Sequence, residues 1–180
     1  MNESDKESVK NLESAVRNIP DFPKPGIQFK DITPILRDPV HFRQSIKLLA
    51  SPFEKEEIDA VVGIDARGFI FASGVALELD AGFVPVRKAG KLPYFTHEES
   101  YDLEYGSNTI AIHQDALNAG DRVLLVDDLL ATGGTAVAAI KLLETLKVKI
   151  VGISFLIELG FLEGRKKFPD PSLIRSLITY

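Results

Sequence analysis

Short apolar runs alternate with amphipathic stretches along most of this chain. Residues 123–126, Val-Leu-Leu-Val, and residues 58–64, Ile-Asp-Ala-Val-Val-Gly-Ile, read as strands buried on both faces, because nearly continuous apolar and β-branched positions leave no solvated side. Residues 82–87, 109–112 and 149–157 read as further strands, and 173–178 alternates weakly, as a terminal edge strand would. Helical spacing puts Val9, Leu12, Val16 and Ile19 on one face of residues 4–19, and Pro20 stops that run. Asp38 and Pro39 form an N-cap and a first helical residue, ahead of a helix that turns Phe42, Ile46 and Leu49 inward. Residues 69–79 and residues 136 to about 147 are two more helices. Strands alternating with helices predict an α/β fold, a doubly wound, mostly parallel sheet flanked by helices. At 180 residues the chain is expected to form a single domain, 1–180, with a sizeable core.

Two stretches break the alternation. Asp21-Phe22-Pro23-Lys24-Pro25-Gly26 is a stiff turn, and residues 27–34 are then expected to be extended. Within them, Phe29 is read either as a core ring or as a ring that stacks on a planar ligand, with the backbone of Gln28 and Lys30 reading the ligand's polar edge. Residues 88–106 are polar, carry Gly and Pro near their start, and are long for a connection in a compact domain. Connections of that length are usually lids or binding loops, and closure of a lid excludes water. Arg87, Lys88 and Lys91 concentrate positive charge at the start of this segment.

Composition narrows the class. Hydrophobic residues make up 45% and charged residues 26%, ordinary for a soluble globular protein. The net charge of −5 argues against nucleic-acid binding, which needs clustered Lys and Arg. With no cysteine, disulfide and thiolate chemistry are excluded, in keeping with a reducing compartment. The polar, acidic N-terminus lacks the pattern of a secretory signal, and no apolar run is long enough to span a bilayer. A cytoplasmic protein with no membrane contact is expected.

The chemistry concentrates after residues 123–126. Asp127 and Asp128 follow at once, then Ala131, Thr132, Gly133, Gly134 and Thr135 lead into a helix. Amides at a helix start attract anions, glycines admit a phosphate close to the backbone, and the threonines add hydroxyl donors. The two carboxylates would repel that phosphate, so they suit hydroxyls or a hard divalent cation. A phosphate at one end with a diol nearby is a ribose 5-phosphate. The loop lacks the Lys of a Walker motif, and no G-x-G-x-x-G follows a strand. A second strand–turn–helix unit carries Asp65-Ala66-Arg67-Gly68, where the fixed fork of Arg67 would hold a diphosphate. His97 stands next to Glu98 and Glu99, but no second His lies at metal-binding spacing, so it is read as exposed, as are His41 and His113; Gly164-Arg165-Lys166-Lys167 is read as a solvated helix end.

Residues 127–135, Asp-Asp-Leu-Leu-Ala-Thr-Gly-Gly-Thr, resemble the phosphoribosyl-pyrophosphate (PRPP) motif of type I purine phosphoribosyltransferases. The segment P-x-P-G-I-x-F-K-D-I-T is similar to the hood of the adenine-specific members, and Tyr101-Asp102-Leu103-Glu104-Tyr105-Gly106 to their lid signature. The likeness covers about residues 15 to 165. It implies the type I phosphoribosyltransferase fold, with an N-terminal hood and a flexible lid. It further implies transfer of 5-phosphoribosyl from PRPP to adenine in purine salvage, giving AMP and pyrophosphate, with Mg²⁺, in a homodimer. By the resemblance, Phe29 stacks on the purine and Glu104 is the acid/base. Tyr105 belongs to the lid, and Leu159, beside Glu158, lies at the sheet edge used against the purine. A non-proline cis bond would join Asp65 and Ala66. The resemblance places the 5-phosphate on residues 131–135 and the ribose hydroxyls, with the metal, on Asp127 and Asp128. Arg67, Arg87, Lys88 and Lys91 would face the diphosphate. The alternatives are transfer to hypoxanthine, guanine or xanthine, or a non-enzymatic PRPP-sensing regulator.

Overall fold

In a computed structural model, which describes residues 3–103 and 106–180, the chain forms two compact units, Met1–Leu48 and Leu49–Tyr180. In the first unit, α1 (Glu3–Ala15) buries Leu12 and ends earlier than its apolar spacing suggests. Ile19 belongs instead to β1 (Arg17–Pro20), which pairs antiparallel with β2 (Gln28–Asp31), Ile19 opposite Phe29. Side chains lock this hairpin: Arg17 reaches Asp31 at 2.6 Å, and Lys30 Nζ donates to Asn18 Oδ1 at 2.7 Å. The turn between the strands contains a cis Phe22–Pro23 bond, and the amide of Gly26 donates to Asp21 Oδ1 at 2.7 Å.

The extended stretch expected through residue 34 is cut short. Asp31 accepts from the Thr33 amide at 2.9 Å and α2 (Thr33–Arg37) starts there, with Pro34 in its first turn. Asp38 then caps α3 (Pro39–Ala50) as expected, its Oδ1 accepting from the amides of Val40 and His41 at 2.8 and 2.9 Å.

The second unit is built on a seven-stranded sheet of order β5-β6-β4-β3-β7-β8-β9. Its parallel part comprises β3 (Ala60–Ile64), β4 (Gly82–Lys88), β7 (Arg122–Leu130), β8 (Lys149–Glu158) and β9 (Ile174–Thr179). Between them run α4 (Gly68–Glu78) and α5 (Gly134–Thr145). Val123, Leu124, Leu125 and Val126 are fully buried, so the continuous apolar run marks a strand covered on both faces. Removing a side chain such as Leu125 would cost about 2–5 kcal/mol. β3 hands the chain to β4 on one side while β7 pairs on its other side. The strand order therefore reverses between β3 and β7, and their carboxyl ends form the crevice where open α/β sheets bind ligands.

Two expectations change. The acidic pair does not follow the strand; it lies inside β7, whose pairing with β8 continues through Leu130↔Glu158. The long polar segment, irregular over residues 89–95, continues as strand. β5 (Thr96–Leu103) and β6 (Gly106–His113) pair antiparallel along their length, and β6 joins the sheet beside β4. The three histidines, expected exposed, are each half-buried. His41 approaches Asp38 at 3.8 Å, and the His113 ring meets Tyr94 edge-on, centroids 6.3 Å apart.

Candidate functional site

At the carboxyl end of β7, residues 131–135 wrap a cavity of about 90 Å³, roughly three waters' worth. Asp127, Leu129, Leu130, Ala131, Thr132, Gly133, Gly134, Thr135 and Ala136 line it. Gly133 turns the chain with φ +80°, a conformation open mainly to glycine, and its carbonyl accepts the first helical bond of α5, from Val137 at 3.0 Å. No side chain caps this end of α5. Its first-turn amides and the positive end of the helix dipole therefore remain available to an anion.

Asp127 shares the cavity wall with that loop, while Asp128 beside it is buried, 6% exposed. Burial, reinforced by the charge of Asp128, pushes the Asp127 carboxyl well above the usual carboxylate range. Asp128 is raised too, again by burial, but the Arg67 guanidinium opposes that rise. Arg67 Nη2 lies 2.8 Å from Asp128 Oδ2. The turn after β3 thus meets the end of β7, and Gly68, without a side chain, lets α4 start against the Asp127 carboxylate. The Asp65–Ala66 bond is cis.

Arg87, at the end of β4, turns to this same turn. Its Nε donates to Asp65 Oδ2 at 3.1 Å and its Nη1 to the Lys91 carbonyl at 3.2 Å. Lys88 and Lys91 are exposed. Leu159 is half-buried, its amide donating to the Leu130 carbonyl at 2.9 Å, which sets the end of β8 beside the loop. The second unit therefore brings together Asp127, Asp128, Arg67 and residues 131–135, with Arg87 joined through Asp65.

Gln28, Phe29 and Lys30 belong to β2 of the first unit. Phe29 is half-buried, and the Phe22 ring meets it edge-on at 5.1 Å. Glu104 and Tyr105 lie outside the described residues.

Sequence reasoning missed three participants. Tyr101 on β5 accepts a hydrogen bond from Thr135 Oγ1 at 3.0 Å. Asp65 orients Arg87. Arg165, read as part of a solvated helix end, instead grips Glu158 with two bonds, Nε to Oε1 at 3.0 Å and Nη2 to Oε2 at 2.5 Å. Only the spacing of Tyr101 within a lid-like signature carried any signal; the other two depend on partners distant in sequence.

An anion-binding helix start and an acidic pair at the switch point of a parallel sheet define a phosphosugar-binding α/β protein. The sequence pattern of the phosphoribosyl transferase domain matches residues 32–174. The adenine phosphoribosyltransferase of Thermobifida fusca is 56% identical over 168 residues, spanning 93% of this chain and 95% of the relative. The crystal structure of the enzyme of that name from Rhodothermus marinus superposes with a TM-score of 0.91 at 53% identity, covering 97% of this chain and 99% of the other. That of the Saccharomyces cerevisiae enzyme, complexed with an imino-altritol bisphosphate and adenine, superposes at 0.90 with 42% identity, covering 95% and 98%. The chain belongs to the phosphoribosyl transferase family, in its adenine phosphoribosyltransferase branch.

Proposed function

We propose that this chain transfers the 5-phosphoribosyl group of PRPP to adenine, releasing AMP and pyrophosphate in purine salvage. Supporting this above all is one observation: a carboxylate, Asp127, and the uncapped amides of α5 line a single cavity. A phosphate and a hydroxyl-bearing sugar on one ligand satisfy both. The adenine N9 displaces pyrophosphate at C1′ through an oxocarbenium-like state, so the protein positions two substrates and stabilises developing charge without a covalent bond of its own. Residues 131–135 hold the 5-phosphate, and Asp127 and Asp128 face the ribose hydroxyls. Arg67, whose guanidinium meets Asp128 at the mouth of the crevice, offers the planar fork that suits a diphosphate. Arg87, Lys88 and Lys91 add positive charge toward that leaving group.

The donor set fits Mg²⁺. Among the described residues no three His, Cys, Asp or Glu cluster, and Mg²⁺ is commonly held by one or two carboxylates plus substrate phosphates. Asp127, with Asp128, would supply the protein's share, and the ion would offset charge on the diphosphate. Phe29 stacks on the purine, with the backbone of Gln28 and Lys30 at its edge and Leu159 against it. Glu104 handles a purine proton, and Tyr105 belongs to the lid that covers the sugar. We further assign a homodimer acting in the cytoplasm; no helix among the described residues is long and apolar enough to cross a membrane.

Mixing adenine with PRPP and Mg²⁺ and following pyrophosphate tests the reading. Release with adenine, outcompeting hypoxanthine, guanine and xanthine, supports it. Preference for another base, or binding of PRPP without turnover, overturns it.

A further inference from the structure

The phosphate loop has a second neighbour that no part of the reaction scheme uses. Behind it lies the short 3-10 turn Gly164–Lys167. The two backbones touch where both residues are glycine. A methyl group at Gly164 would collide with the Ala131 carbonyl oxygen and come within 3.0 Å of the Gly133 nitrogen. A methyl at Gly133 would lie 2.7 Å from the Gly164 carbonyl oxygen and 3.2 Å from the Phe168 ring. The approaches to the two carbonyl oxygens are closer than real Cβ atoms come, so each backbone fixes how close the other can lie. Ala131, Thr132 and Gly133 are also cavity wall, so moving them reshapes the space offered to the phosphate.

Arg165 keeps the turn in place. Its fork holds Glu158 with two bonds, while Nη1 donates to the Ile174 carbonyl at 3.2 Å and the Pro171 carbonyl at 3.4 Å. Ser176 Oγ donates to Glu158 Oε2 at 2.7 Å, and Glu158 is 7% exposed. Glu158 stands opposite Leu130, the residue just before the phosphate loop. The chain of contacts therefore closes on itself: from Leu130 through residues 131–133 to Gly164, then through Arg165 and Glu158 back to Leu130.

We propose that residues 164–168, anchored on Glu158, form a brace that sets the shape of the phosphate loop, with Gly164 and the Arg165–Glu158 pair as positioning residues for the 5-phosphate. This rests on residues 131–135 binding that phosphate, as argued above. The brace meets the loop at residues 131–133, so disturbing it should weaken the phosphate end of the substrate more than the diphosphate end. An ion pair that served only stability would not discriminate between the two ends.

The experiment is calorimetric titration of Gly164→Ala, Arg165→Lys and wild type with ribose 5-phosphate and separately with pyrophosphate, alongside initial-rate kinetics. Gly164→Ala should bind ribose 5-phosphate roughly 10- to 100-fold more weakly, the scale of loss for misplacement by about an ångström. KM for PRPP should rise in step. Pyrophosphate affinity and KM for adenine should stay within about twofold of wild type, the ordinary scatter for a surface change. Arg165→Lys keeps the charge but loses the two-pronged geometry, and should shift the same way by less. Lys166→Ala, whose exposed side chain pairs with Glu163, should match wild type. Folded Gly164→Ala and Arg165→Lys proteins with unchanged ribose 5-phosphate affinity overturn the brace. Equal losses for both ligands overturn it as well. If Gly164→Ala fails to fold, Arg165→Lys decides alone. A wild-type protein that neither binds ribose 5-phosphate nor releases pyrophosphate would instead refute the function proposed above.

Discussion

The hydroxyls of Tyr101 and Thr135 lie 3.0 Å apart, with Thr135 Oγ1 donating. Tyr101 sits on β5, and Thr135 sits in the first turn of α5, on the cavity wall. Further along the same helix Lys141 Nζ meets Glu99 Oε1 at 2.7 Å. The β5–β6 hairpin is thereby tied along α5, and one of its ties ends on a residue of the cavity wall.

Tyr101→Phe should lower kcat/KM for PRPP several-fold, as loss of one hydrogen bond worth about 0.5–1.5 kcal/mol predicts. Lys141→Ala breaks an exposed pair worth about 0.2–1 kcal/mol and should do less. Steady-state kinetics with PRPP varied will rank the two; a larger effect at Lys141 would mean the Tyr101 contact does not couple hairpin and loop.

Asp127→Asn should separate activity from stability. Loss of the carboxylate should cost on the order of 2–4 kcal/mol of transition-state binding, tens- to thousands-fold in kcat/KM. Yet the half-buried Asp127 carboxylate is largely desolvated and stands beside Asp128, and both effects raise its pKa. Removing it relieves that repulsion while Arg67 keeps its partner Asp128. The ligand-free variant should therefore melt at a higher temperature at neutral pH. An unimpaired variant would remove Asp127 from catalysis; a lower melting temperature would refute the electrostatic reading.

What the sequence revealed and concealed follows from the range of the forces involved. The strand at residues 123–126 was legible because four consecutive apolar side chains leave only a doubly covered strand. The extension of β7 through Asp127 and Asp128 was not, since backbone pairing with β8 overrides the acids' poor strand propensity. The same holds for β5, whose polar run Thr-His-Glu-Glu-Ser-Tyr shows no apolar alternation and is strand through its ladder with β6. Ile19 fell on a helical period by coincidence, and the Arg17–Asp31 pair claims that stretch for β1. The turn at residues 131–135 was readable because glycines and threonines at the start of a helix make a short, local pattern. Arg165 was not: a basic run looks the same whether it meets water or a glutamate across a turn.

Divalent-ion removal should abolish turnover. The substrate carries a diphosphate, and the described residues offer no cluster of three metal-binding side chains to retain an ion tightly. EDTA should silence the enzyme and excess Mg²⁺ restore it within the mixing time of an assay. Persistent activity in chelator-treated buffer would count against the metal.

Phe29→Ala should raise KM for adenine by the equivalent of about 1–3 kcal/mol, the range for base–aromatic stacking. Part of any stability change would come from the lost edge contact with Phe22, so folding must be checked separately. KM for PRPP should hold. If PRPP binding alone suffers, Phe29 has no place against the base.

Glu158 supplies a test by pH. The Arg165 guanidinium, followed by the Ser176 hydroxyl, holds its carboxyl below the usual glutamate range, against burial that would raise it. The folded state thus binds this proton less readily than the unfolded chain. By linkage, the stability it contributes is fully present above the ordinary glutamate pKa and drains away as pH falls through that range toward the folded value. Arg165 is itself about a third exposed, its side chain at 36%, and water screens the pair in part. Glu158→Gln should therefore cost about 1–2 kcal/mol at neutral pH, below the full value of a charged hydrogen bond. The gap from wild type should narrow as the pH falls through the ordinary glutamate range, where the unfolded chain takes up this proton before the folded protein does. Denaturant melts of both proteins across that range will show it. A gap that stays constant with pH would assign the loss to packing, not charge, and Arg165 would then hold the turn by its hydrogen-bond geometry alone.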